Sequence, residues 1–154
     1  MTAHPKGGLP SMAEFQARAR EEFQFLSREF GFREEPASAG ENRPDYAVSF
    51  ASPTTRIVVQ GINYGMNARV AIGQAGTARD FENYDLGDLI TVRHVVVPPP
   101  GRRGDQLQQL RLYADVLKAA GADILRGDHS IFPLLATQVE KRRQQFSHDQ
   151  QRDA

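Results

Sequence analysis

Cysteine is absent from all 154 residues. That excludes a disulfide framework, a cysteine-type zinc site and thiol catalysis, and it suits a reducing compartment, so a cytoplasmic location is expected. Long apolar runs are also missing: nothing approaches the roughly 20 residues of a membrane span. The opening "MTAHPKGGLPS" lacks the apolar core of a signal peptide. Neither sign of charge dominates, with 19 basic and 19 acidic residues, so no global attraction to nucleic acid or a membrane surface is expected. Lysine occurs only at Lys6, Lys118 and Lys141. The remaining cations are arginines scattered among carboxylates, a pattern that coding bias explains.

Catalytic and ligand-binding signatures are missing too. The histidines, His4, His94, His129 and His148, are far apart and show no H-E-x-x-H spacing. "GINYG", "GQAG" and "GRRG" match no phosphate-cradling pattern, and no G-x-S-x-G elbow is present. With Asp80 as first position, a calcium loop needs Gly sixth and Glu twelfth; the chain has Asp85 and Thr91 there. No cofactor and no metal site is expected.

What is present is a core. A 40% hydrophobic chain with nine Phe, long enough to bury about 68–70% of its unfolded surface, should fold as one domain. We expect a loose Gly/Pro-rich start over 1–11, a domain over 12–146 and a fraying polar tail over 147–154.

Phe15, Ala19, Phe23, Leu26 and Phe30 recur at helical steps, with Ser11 and Glu14 spaced as a capping box and Gly31 as the stop. "REEPASAGENRP" reads as a loop. "DYAVSFAS", "TTRIVVQGINYG" and "MNARVAIGQ" read as three strands turning at Pro53-Thr54 and Tyr64-Gly65. Segment 89–97, "LITVRHVVV", fits a strand or a short helix. Leu107, Leu110, Ala114 and Leu117 mark a second helix, ended by Lys118 and Gly121; Phe132, Leu135, Val139 and Phe146 mark a last one. The expected fold class is α+β: two layers, an antiparallel three-to-four-stranded meander, and an N-terminal helix and C-terminal helices packed on one face.

Arg-Gly-Asp occurs twice, at 103–105 and 126–128. Each precedes a helical period, so glycine supplies a left-handed link and Asp105 or Asp128 accepts N–H bonds near a helix start. Both tripeptides read as connections rather than adhesion motifs. Asp128-His129 is the one adjacent acid–imidazole pair, and it is the foothold for a rival reading as a small hydrolase or nuclease.

The densest acidic stretch holds Asp80, Glu82, Asp85 and Asp88, with Phe81 and Tyr84 beside it. A solvated loop is the plain reading. The sharper one is an electronegative surface with aromatic anchors for a basic protein partner, to which Glu34 and Glu35 could add. On that reading Asn at the four acidic positions leaves folding nearly intact and weakens binding. "EKRRQQ" near the end of the last helix reads as a solvated basic face complementing the helix dipole. It lacks the aromatic interleaving of a single-strand binder, so nucleic acid is the less favoured partner.

"FQFLSREFGF" before the meander and "LRLYADVLKAAGADILRGDHSIFPLL" after it resemble small bacterial α+β proteins of unknown function. Some of these look like the immunity proteins of polymorphic toxin systems. The resemblance implies a non-enzymatic protein that neutralises a toxin, such as a basic toxin domain, by stoichiometric binding. It transfers no site residue. A homo-oligomeric structural protein is the third alternative.

Overall fold

The first helix begins at the capping box its spacing predicts. Glu14 N–H donates to Ser11 Oγ at 3.1 Å, and Ser11 N–H donates to the Glu14 carboxylate at 3.3 Å. The computed structural model describes residues 11–35, 47–62, 67–75, 84–97 and 106–152. Within them the expected single N-terminal helix is two: α1 (Met12–Glu22) and α2 (Phe25–Phe30). Phe23 and Phe25 explain the break. On one continuous helix they would lie about 200° apart, yet both are buried, with ring centroids 6.1 Å apart. The turn between them puts both rings in one core. Gly31, at φ +74°, then closes α2.

Five strands follow in sequential antiparallel order: β1 (Arg33–Glu35), β2 (Ala47–Ala51), β3 (Thr55–Ile62), β4 (Asn67–Gln74) and β5 (Tyr84–Asp85). This is an α+β fold with a meander, one strand longer than the upper expectation. β1 lies in the segment expected to be loop, and β5 in the polar stretch before Asp88. Cross-strand pairs Phe50–Ile57, Ile57–Ile72, Val48–Val59 and Val59–Val70 set one apolar face. Phe50, Ile57, Ile72, Val48, Val59 and Val70 are all buried, and burying each such side chain is worth about 1.5–3 kcal/mol. The opposite face carries Ser49, Val58, Gln60 and Arg69, by the period of two.

The helices α3 (Leu86–Val92), α4 (Gln106–Ala120), α5 (Ala122–Leu125) and α6 (Phe132–Arg152) complete the fold. Phe15, Leu89, Leu110, Leu117, Ile124 and Leu135 bring the helices into the same buried cluster as the sheet's apolar face. Among the described residues, β5 pairs with Ala71 and Ile72 of β4. Nearer the start of β4, α4 supplies hydrogen bonds in place of a strand. Ala68 N–H donates to Gln109 Oε1 at 2.8 Å, and Gln106 Nε2 donates to Asn67 C=O at 2.7 Å.

Segment 89–97 resolves as the end of α3 and its exit. His94 N–H donates to Thr91 C=O and Val95 N–H to Ile90 C=O, a Schellman closure with His94 at φ 54° where glycine is usual. At the other end, α6 continues as helix past Phe146 to Arg152, beyond the point where a fraying tail was expected.

Candidate partner-binding surface

Asp85 and Asp88 sit at the start of α3, and the fold uses both. Asp85 is the N-cap: its Oδ1 accepts Gly87 N–H at 2.8 Å, while Asp88 Oδ2 accepts Asp85 N–H at 3.0 Å, completing a capping box. Each carboxylate also has an arginine. Arg69 Nε reaches Asp85 at 2.7 Å from β4. Arg142 of α6 grips Asp88 with Nε and Nη2, both at 3.1 Å. These hydrogen bonds push the guanidinium pKa of Arg142 further above its already high value. Asp88 is only 2% exposed. Of the expected acidic surface, the structure therefore shows Tyr84, Asp85 and Asp88 as a charge-balanced corner that ties α3 to the sheet and to α6. The Tyr84 ring meets Phe132 edge-on at 4.9 Å. Asp80, Phe81 and Glu82 lie outside the described residues.

Glu34 and Glu35, the expected additions, lie on β1. Glu34 receives the Arg20 guanidinium at 2.8 and 3.0 Å, and Glu35 receives Arg56 Nε at 2.9 Å. They are at the edge strand opposite to β5 in the sheet order, so the meander keeps them apart from Asp85 and Asp88.

The second Arg-Gly-Asp is a helix exit. Gly127 has φ +99°; its N–H donates to Ile124 C=O and Asp128 N–H to Asp123 C=O. Asp128 Oδ1 accepts Ser130 N–H at 3.0 Å, and hydrogen bonding from the Ser130 side chain, then from its backbone, lowers the Asp128 pKa. The neighbouring imidazole turns elsewhere: His129 Nε2 lies 2.8 Å from Thr55 Oγ1. Thr55 Oγ1 is also 3.0 Å from Ile124 C=O, which can only accept. The single Thr55 proton thus goes to that carbonyl, and His129 Nε2–H donates to the threonine oxygen. The ring stacks on Phe132 at 4.2 Å, and its desolvation lowers its pKa against the opposing pull of Asp128. Acid and imidazole act on different atoms, and each has a structural task. The Arg-Gly-Asp at 103–105 lies outside the described residues.

A different surface emerges on α6. Leu135, Val139, Arg142 and Phe146 share one side of the helix within about 60°. Leu135 is fully buried, Val139 is half-buried and Arg142 holds Asp88. The next residue of this stripe, Phe146, is 64% exposed. All side chains from Glu140 through Ser147 are exposed, so the helix overruns the body it is pinned to. Arg143 flanks Phe146 one turn back, and Lys141 lies around the helix from it. Neither cation has a carboxylate partner among the described residues. Glu140, the nearest carboxylate in sequence, is 3.4 Å from the Gln144 amide that donates to it. Periodicity places Phe146 on the core side of α6; where the core ends cannot be read from periodicity.

Among the described residues no group of three or more His, Asp or Glu side chains is placed to hold a metal ion, and no helix is long and apolar enough to cross a membrane. Compared with models of protein families, with curated proteins and with solved structures, the chain matches none.

Proposed function

We propose that the chain is a non-enzymatic protein-binding domain, and more finely that it acts in a bacterial cytoplasm as an immunity protein, neutralising a toxin by stoichiometric cover. One observation carries the binding reading. The stripe that seats α6 on the body continues past it to Phe146, leaving a large aromatic side chain 64% exposed on the helix. Phenylalanine and arginine are both enriched at protein interfaces relative to the rest of a protein surface, and here an exposed Phe146 stands beside Arg143. The toxin-neutralising part rests on the resemblance of the two quoted segments.

The hydrolase reading has less support. Its acid and imidazole are engaged with Ser130 and Thr55, and His129 packs face to face on Phe132. Tagged full-length chain recovered from its native cells should carry one partner at equimolar amount. That partner should be toxic when expressed alone and harmless when co-expressed with this chain. Recovery of the chain alone from cells expressing their full set of toxins would overturn the proposal.

A further inference from the structure

We infer that the overhang of α6 docks into an apolar groove rimmed by carboxylates on the partner, with Phe146 as the inserted side chain and Arg143 on the rim; this rests on the binding reading above. The occupant follows from two features of the helix. First, the stripe is continuous with an interface already formed: Leu135 is buried and Val139 half-buried against the body, and Phe146 presents the same side two turns beyond Val139. A partner groove abutting α3 would extend that packing without rearranging the chain, the helix-in-groove mode of recognition. Second, the charge beside the stripe is positive. Arg142 is already matched by Asp88, but its side chain remains 55% exposed, and Arg143 has no carboxylate among the described residues. Desolvating Arg143 unpaired would be costly, so a matching partner supplies an acceptor there.

A second copy fits less well. Two α6 helices laid antiparallel along Val139–Phe146 set Arg142 and Arg143 of one copy against Arg143 and Arg142 of the other. Nucleic acid would satisfy the cations and leave Phe146 without an apolar pocket in a duplex.

The test uses the tagged full chain and four forms: wild type, Phe146→Ala, Arg143→Glu, and Arg111→Glu on the exposed side of α4 as control. Circular dichroism and thermal unfolding confirm that each folds, as expected for substitutions at exposed positions. Each form is incubated with extract of the native cells, and the captured partner's affinity is then measured with purified components. We expect Phe146→Ala to weaken binding about thirtyfold or more, as for a hot-spot aromatic. Arg143→Glu should weaken it about tenfold, mostly through slower association and with a flatter salt dependence. Arg111→Glu should bind as wild type does.

A partner held equally well by Phe146→Ala and Arg143→Glu overturns this docking face while leaving the binding reading intact. Absence of any partner removes both. Wild-type binding to mixed-sequence duplex DNA or RNA that Arg143→Glu abolishes would overturn it in favour of nucleic acid. Concentration-dependent dimerisation lost in Phe146→Ala would overturn it in favour of a second copy.

Discussion

Asp85 and Asp88 lie within one helical turn at the start of α3, and both are committed: one caps the helix and meets Arg69, the other completes the cap and meets Arg142. Arg143 and Phe146 lie within one turn on α6; both are exposed, and Arg143 has no carboxylate partner among the described residues. The two regions are joined by Arg142, whose guanidinium belongs to the corner while its neighbour belongs to the overhang. Density of charge in the sequence pointed to the first region. The structure gives the first region a folding task and leaves the second exposed.

The largest effect is expected where that comparison is broken at its hinge. Asp88→Ala removes an acceptor of the α3 cap and the buried partner of Arg142, while the half-exposed arginine can return to water. We expect a loss of about 2 kcal/mol, between the cost of a cap and that of a buried pair, read as a lower urea midpoint with unchanged slope. The four-site Asn replacement envisaged from sequence should therefore not spare folding, and Asp88 should carry most of its cost.

A smaller effect concerns pH. Desolvation favours neutral His129 in the fold, so its folded pKa lies below the unfolded value of about 6.5. The unfolded chain then takes up the proton first. Stability should be full above that value and decline as pH falls below it, levelling once the folded pKa is passed. Urea midpoints at stepped pH should show this decline, and His129→Gln should flatten it. A rise in stability on acidification through the same window would contradict the assignment.

Asp85→Asn should cost about 0.5 kcal/mol or less. Asn caps a helix as well as Asp does, and the Arg69 pair is partly exposed. Smallest of all, Phe146→Ala should leave the unfolding midpoint within about 0.5 kcal/mol of wild type. A marked destabilisation would mean that Phe146 serves the fold, and the contrast between the two regions would disappear.

Much of the architecture was legible because apolar spacing and caps agreed. Ser11 and Glu14, the alternation of Val48 and Phe50, and the periods of α4 and α6 all point to the elements found. β1 was not legible: Arg33, Glu34 and Glu35 show no apolar alternation, and the strand is defined by its pairing to β2. The capping box of α3 was misleading in another way, since Asp85 and Asp88 use the same letters as a solvated acidic loop. Their arginine partners stand at Arg69 and Arg142, too far along the chain to suggest pairing. Phe146 shows the converse limit. Its place on the stripe was legible, and its exposure was not, because that depends on how far α3 and the sheet extend beside the helix.

Amide hydrogen exchange of the full chain, free and bound to the captured partner, tests the central claim most directly. The account predicts added protection along 139–147 of α6 and little change at 84–88, which the fold already holds. Protection gained at 84–88 with none along 139–147 would contradict it and return the interface to the acidic corner.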